Sequence, residues 1–225
     1  VNFLMPFGES IVQSAPRIVK SAINIYNTIC KELLPTPERS HYTYNLRDLG
    51  KVFQGLLMTS SRAISNSQQI IRAWIHESRR VFRDRLINDT DRHWFDEQVK
   101  KQMRGTLELS DNDVQEVLGT WGDLLMYCDF QNSGEKAYTQ VEEPSALIPL
   151  VEDNLVDFNA ESKQPMRLVL FMDAVKHVAR ISRVLRQPLG NCLLLGVGGS
   201  RRQSLTKLAS FIAEYELVQV EIAKG

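Results

Sequence analysis

Apolar residues recur at helical spacing through most of the first hundred positions, and this pattern predicts an all-helical packing unit. Ile18, Ala22, Tyr26, Ile29 and Leu33 share one helix face, with Ser14 and Pro16 near the expected start. The Leu34-Pro35-Thr36-Pro37 run ends that helix, because each proline disfavours the helical conformation in the residue before it. Asn45, followed three residues later by Asp48, predicts a cap for a second helix carrying Leu49, Val52, Phe53 and Leu56. Gly55 weakens this helix through its backbone freedom. A third and longer helix, with Ser67 as its expected cap, turns Ile70, Ile71, Trp74, Ile75, Ser78, Val81 and Leu86 inward. The periodicity breaks around Asn88-Asp89-Thr90-Asp91, and a fourth helix resumes with Trp94, Phe95, Val99 and Met103.

From about Ser110 to Gln164 short apolar patches are scattered among Asn, Asp, Gly, Ser and Pro, which predicts loops, short helices and one extended segment. Regularity returns at Met166, where Leu168, Met172, Val175, Ala179, Ser182 and Leu185 describe an amphipathic helix that ends at Gln187-Pro188-Leu189-Gly190. The apolar run from Asn191 to Val197 has the character of a buried parallel strand. A glycine turn follows, then a helix carrying Leu205, Leu208, Ala209 and Ile212, then an alternating strand from Leu217 to Ile222. Strand, glycine turn, helix and strand open an α/β nucleotide-binding fold. The fold class expected is therefore mainly α with a partial α/β P-loop segment at the C-terminal end. Residues 1–109 form the helical unit, 110–164 a connecting region, and 165–225 the beginning of the α/β domain.

The glycine turn is where the chemistry is most legible. Its residues, Gly196, Val197, Gly198, Gly199, Ser200, Arg201, Arg202, Gln203 and Ser204, are the candidate nucleotide-binding set. A phosphate loop needs small residues so that successive N–H groups converge on phosphate oxygens while the next helix directs its positive end at them. The usual pattern then supplies glycine, lysine and a hydroxyl, where this chain has Arg201, Arg202 and Gln203. Arg202 still brings positive charge, but as a planar fork rather than a point charge, and Gln203 is a poor magnesium partner. Ser204 is the candidate substitute hydroxyl. Arg201 places a side chain where backbone should approach phosphate closely. On motif alone, nucleotide binding and a vestigial structural turn both stay open.

Charge and composition narrow the classes further. The 43% hydrophobic content suffices for an ordinary core, and 27 basic against 27 acidic residues leave no global field to gather nucleic acid or an anionic membrane. No nucleic-acid or membrane partner is expected. No apolar run approaches the roughly 20 residues that cross a bilayer, and the first residues lack a signal-peptide pattern. Cys30, Cys128 and Cys192 are widely spaced, which predicts reduced, buried or inert thiols in an intracellular compartment. His41 and His76 show no metal-ligand spacing, so capping or core roles are expected and no metal site. Glu77, Arg80 and Asp84 read as a solvated ion-paired face, and Trp74, Trp94 and Trp121 as core anchors.

Several stretches resemble one family. Leu33 to Asp48 with Val52-Phe53-Gln54-Gly55, then Trp74-Ile75-His76-Glu77 and Arg80 to Leu86, are similar to the lid of the third AAA+ module of dynein heavy chains, most closely the axonemal branch. Met172-Asp173-Ala174 and the Gly196 to Ser204 loop resemble the start of the fourth module, whose pattern already carries arginine and glutamine in place of lysine and a hydroxyl, as Arg202 and Gln203 do here. Arg201 departs from that pattern, which has glycine there. The resemblance spans nearly the whole chain and implies part of a minus-end-directed microtubule motor working in the cytoplasm, cytoskeleton and ciliary axoneme. Its implied partners are the remaining AAA+ modules, the microtubule through the stalk, and intermediate and light chains. Its implied cofactor is ATP or ADP with magnesium, weakened by Arg201 and Gln203. Arg47, a cation at the start of a lid helix, is the candidate reader of the phosphates in its own module; the alternative makes it the partner of a carboxylate near Asp48. No catalytic residues are assigned, and no ATPase activity is expected from these residues alone. A non-motor AAA+ ATPase and a nucleotide-free structural element remain the alternatives.

Overall fold

The computed structural model describes residues 7–119, 124–131, 136–197, 199 and 201–220. The chain divides into two compact units, Val1–Leu125 and Met126–Gly225.

In the first unit, α1 (Glu9–Glu32) buries Ile11, Ile18, Ala22, Ile25 and Ile29 along one stripe. It starts at Glu9 instead of beside Ser14, so Pro16 lies inside the helix. Burial of Ile11, only 1% exposed, adds helix ahead of the proline. Pro16 itself faces outward, where the backbone bond it removes is replaced by solvent. α2 (Leu46–Leu56) begins with the expected reciprocal cap: Arg47 N–H donates to Asn45 Oδ1 at 2.9 Å and Asn45 N–H to Asp48 Oδ2 at 3.0 Å. α3 (Ser67–Val81) is capped by Asn66 rather than Ser67, since Gln69 N–H donates to Asn66 Oδ1 at 2.9 Å. The Asn88-Asp89-Thr90-Asp91 run is not a gap before α4 (Asp89–Gly105). Asn88 caps that helix by accepting from Asp91 N–H at 2.7 Å, and the aspartates sit in its positive first turn. α5 (Asp111–Leu118) opens on a capping box between Ser110 and Asp113.

α3 is the centre of this unit, with α1, α2 and α5 packed on it. Trp74 and Ile75 are fully buried, and so is Glu77, which the sequence places on a solvated face. The pattern missed it because α3 is covered on more than one side, so a polar position is no guide to solvent. Gly55 of α2 makes the room: a Cβ there would lie 1.7 Å from Glu77 Oε2. Arg80 and Asp84 do pair, at 3.2 Å. His76 is a core histidine whose Nδ1 lies 3.1 Å from the Leu125 carbonyl oxygen. Trp94 is half-buried and donates its indole N–H to Glu32 at 2.9 Å, while Trp121 lies outside the described residues.

Carboxylates fasten the segment after α1 to this core. Asp91 accepts from the Arg39 guanidinium at 2.8 Å, the Tyr42 hydroxyl at 2.9 Å and the Asn88 amide at 3.0 Å. Tyr42 in turn accepts from Ile87 N–H at 3.0 Å. Arg85 pairs with Asp48 at 3.2 Å, and Asp96 joins Arg79 of α3 at 3.2 Å and Arg83 at 3.0 Å.

The second unit begins with an antiparallel pair, β1 (Tyr127–Cys128) and β2 (Thr139–Gln140), in which Tyr127 faces Gln140 and Cys128 faces Thr139. α6 (Leu147–Glu161), α7 (Met172–Arg186) and α8 (Arg202–Ile212) complete it. Cys128, Val141, Val151, Val175, Val178 and Leu208 lie at the centre of one shared core. α6 is a full helix of 15 residues inside the irregular stretch, tolerating Pro149 because it falls in the first turn. α7 starts only at Met172; Met166 and Leu168, expected in the helix, belong to an extended approach. Asn159 supplies the reason, since its side chain accepts from Met166 N–H at 2.7 Å and donates to the Met166 carbonyl at 2.9 Å, as a neighbouring strand would.

The two strands expected around the glycine turn are not formed among the described residues. Residues 191–197 and 217–220 are unladdered, and Leu193, Leu195, Val218 and Val220 are 82%, 80%, 78% and 89% exposed. A buried parallel strand needs neighbours on both sides, and the described residues supply none. Cys128 is buried, which pushes its thiol up to about 12, whereas Cys192 is exposed, and partial desolvation raises its thiol too. Among the described residues no helix is long and apolar enough to cross a membrane.

Two substitutions test this account. Gly55→Ala adds about 1 kcal/mol of helix propensity, yet forcing a methyl group onto the buried Glu77 carboxylate should cost a net of about 1–3 kcal/mol in urea unfolding; unchanged stability would refute the close fit. Asp91→Ala should cost about 2–3 kcal/mol by orphaning the buried Tyr42 hydroxyl and its neighbours, and a loss below about 0.5 kcal/mol, typical of a surface site, would show the network to be dispensable.

Candidate functional site

α7 delivers the chain to the loop through a turn that only glycine can close. Gly190 N–H donates to the Gln187 carbonyl at 2.9 Å, and a Cβ at Gly190 would lie 1.9 Å from the Val184 carbonyl oxygen. Gly196 and Val197 follow on the extended, exposed segment. Gly199 takes a φ of +84°, in the left-handed region that glycine enters without cost. Gly198 and Ser200 lie outside the described residues. Arg201, at φ 55° and ψ 23°, occupies the left-handed region too and precedes α8 without giving it a side-chain cap.

The start of α8 is therefore electrically open. Its first backbone bond runs from Leu205 N–H to the Arg201 carbonyl at 2.9 Å. The N–H groups of Arg202, Gln203 and Ser204 are the orphan donors that a helix presents at its positive end. A cavity of about 740 Å³ lies at this end, with Gly199, Arg201, Arg202, Gln203, Ser204 and Lys207 in its wall. None of its described lining residues is a carboxylate. Five of the residues singled out in the loop are thus brought to one cavity.

The guanidinium groups are already engaged. Arg201 Nη1 donates to the Arg167 carbonyl, and Arg202 Nη1 makes a long contact of 3.4 Å to the Leu194 carbonyl. Thr206 and Lys207 are wall residues that the loop motif did not include. Their signal was available in the spacing, since they follow Gln203 by three and four residues on a helix and so share its face. The Thr206 hydroxyl donates to the Arg202 carbonyl at 2.8 Å, leaving Ser204 as the hydroxyl in the first turn without a bond among the described residues. Amide donors and cations without carboxylates suit a polyanion and offer little to a bare divalent cation. Among the described residues no group of three or more His, Cys, Asp or Glu side chains is placed to hold a metal ion.

Arg47 lies in the first unit, on the exposed first turn of α2. Its backbone serves the Asn45 cap, and Asp48 pairs with Arg85 instead. The carboxylate partner considered for Arg47 is thus taken by another cation, and the Arg47 guanidinium is unpaired among the described residues.

Comparison with known proteins accounts for both units. Residues 18–118 match the AAA+ lid domain, and residues 166–225 match the P-loop containing dynein motor region D4. The chain is 46% identical over 223 residues to dynein axonemal heavy chain 1 of Homo sapiens, covering 98% of this chain and 5% of that protein. It is 37% identical over 228 residues to human dynein axonemal heavy chain 6, covering 100% of this chain and 5% of that one. Against the Chlamydomonas reinhardtii dynein-1-beta heavy chain of the flagellar inner arm I1 complex it is 36% identical over 223 residues, 99% of this chain and 5% of the relative. Lid-like helices and the D4 loop thus occur together along a chain that spans about 5% of the length of these relatives, and the chain belongs to the dynein heavy chain family.

Proposed function

We propose that this chain contributes to the AAA+ ring of an axonemal dynein heavy chain, as the lid of the third module followed by the beginning of the fourth, and that its loop is a regulatory nucleotide site. The observation that carries the reading is the cavity at the start of α8, where open N–H donors, Arg202 and Lys207 converge with no carboxylate in the described wall. Through the parent ring it serves ATP-dependent, minus-end-directed motility on microtubules in the cilium, together with the other modules and associated intermediate and light chains. The exposed apolar segments 191–197 and 217–220, unladdered in this chain, offer edges that the sheet of the parent module would cover.

The residues fit holding better than hydrolysis. Arg202 and Lys207 neutralise phosphate charge, the amides of Arg202–Ser204 orient it, and Ser204 is the hydroxyl nearest in sequence to the altered magnesium position. When bound, ATP or ADP with magnesium would supply the charge that fixes the loop, and the described wall holds no carboxylate to activate a water. Arg47, exposed and unpaired, is the lid's cation for the phosphates of its own module.

Titration of the chain with a fluorescent ADP and magnesium is expected to saturate, and Arg202→Ala to weaken binding at least about tenfold, the worth of one charge-assisted contact. ATP turnover should be blank. Failure to saturate, indifference to Arg202 or measurable hydrolysis would each defeat the proposal.

A further inference from the structure

At Ser204 a sequence pattern and the chemistry of the cavity coincide. It is the only serine or threonine of the chain with arginine both two and three residues before it, Arg202 and Arg201. Arg201, the residue that departs from the glycine of the family pattern, completes this pair. Two guanidinium groups at those distances are what an arginine-directed serine/threonine kinase reads, because each planar fork pairs bidentately with carboxylates of the kinase groove. The half-buried Ser204 lines the cavity at the start of α8, and its hydroxyl makes no hydrogen bond among the described residues.

The surroundings suit a phosphate on that hydroxyl. Helical side chains lean toward the N-terminus, so a phosphate carried by Ser204 lies over the open first turn, beside the orphan N–H groups of Arg202 and Gln203. Lys207, three residues further along α8, shares the face of Ser204, and no carboxylate pairs with it among the described residues. Arg202 makes only a long contact of 3.4 Å to the Leu194 carbonyl, which holds it weakly against a dianion. The cavity of about 740 Å³ has room for the group, and its described wall sets no carboxylate against it. A kinase needs only local opening to reach Ser204. α8 has no side-chain cap and its first backbone bond begins at Leu205, whereas its buried anchors Leu208 and Ala209 lie a turn further on.

We infer that Ser204 is a phosphorylation site for an arginine-directed kinase, and that the phosphate it carries occupies the anion site at the start of α8 from within the chain. In the transfer, Ser204 Oγ bonds to the γ-phosphorus of ATP held by the kinase and its proton passes to a kinase base. The bond from that phosphorus to the bridging oxygen breaks and ADP leaves. At neutral pH the product carries a charge of about −2, which the N–H donors, Arg202 and Lys207 offset. The modification does not rest on the nucleotide reading above; the exclusion of a bound nucleotide phosphate does.

The chain incubated with ATP and the catalytic subunit of a cyclic-AMP-dependent kinase is expected to be phosphorylated, with mass spectrometry placing the group on Ser204. Arg201→Gly should slow this at least about tenfold, the worth of one charge-assisted contact, and glycine accepts the φ of 55° found there, so the fold is kept. No phosphate on Ser204, or equal rates with and without Arg201, overturns the site. Phosphorus NMR then reads the surroundings without any ligand. The folded phosphoserine should titrate at lower pH than the same group in urea, because neighbouring cations and N–H donors favour the dianion. Lys207→Gln should bring it back toward the urea value. Identical titration in the folded and unfolded chain overturns the held phosphate. With fluorescent ADP and magnesium, the phosphorylated chain should bind at least about tenfold more weakly than the unmodified one. Equal binding by both forms overturns the occupancy of the site. A low-titrating phosphate on a chain that binds no ADP in either form supports the modification and overturns the nucleotide reading.

Discussion

Leu205, Leu208, Ala209 and Ile212 bury one face of α8 against α6 and α7, and this contact decides where the open N–H groups of Arg202, Gln203 and Ser204 point. A helix of 11 residues does not hold itself in water, so its orientation is a property of the packing and not of the loop. Leu208 and Ala209 are fully buried, and the T-shaped contact of Phe158 with Phe211 at 5.5 Å adds an aromatic edge from α6. Burial of each large side chain here contributes about 1.5–3 kcal/mol. The cationic end of the site is thus presented by a helix fastened along its length.

The hairpin and the end of α7 are joined by charge as well as by apolar contact. Asp129, 5% exposed, accepts from the Ser182 hydroxyl at 3.2 Å and pairs with Arg186. Arg186 also stands over the Tyr215 ring at 6.0 Å, and Lys136 pairs with Glu214 beyond α8. Residues from the irregular middle of the sequence therefore help fix the C-terminal end of α7 and the turn that follows α8. The first unit uses the same device differently. There Asp48, Asp91 and Asp96 fix the segments between helices, while Glu77 is accommodated only because Gly55 leaves space beside it.

Much of the helical unit was legible because its stripes are long and its caps are chemically specific. Asn45 with Asp48 predicted a helix start that the backbone then made, and the loop motif pointed to Arg201–Ser204, which do line one cavity. What escaped were features set by neighbours. Glu77 has the composition of a surface residue, and nothing local says that α1, α2 and α5 cover its helix. Asn159 has no periodic role, yet its two bonds replace a strand partner and delay the start of α7 to Met172. Lys207 lies outside every loop pattern and reaches the cavity through helical spacing from Gln203.

By itself the sequence determined helix positions, caps and the chemistry of the glycine turn, because these depend on residues within a few positions of one another. The family followed from the same local text, since lid and loop motifs are strings of residues. Only the tertiary structure decided that the Arg201 guanidinium ends on the Arg167 carbonyl, that Arg47 is left unpaired while Asp48 goes to Arg85, and that the segments flanking the turn stay unladdered. Each of these outcomes depends on which distant donor or acceptor arrives first at a group, and on whether a neighbouring strand is present at all, and neither is written in the spacing of residues along one stretch of chain.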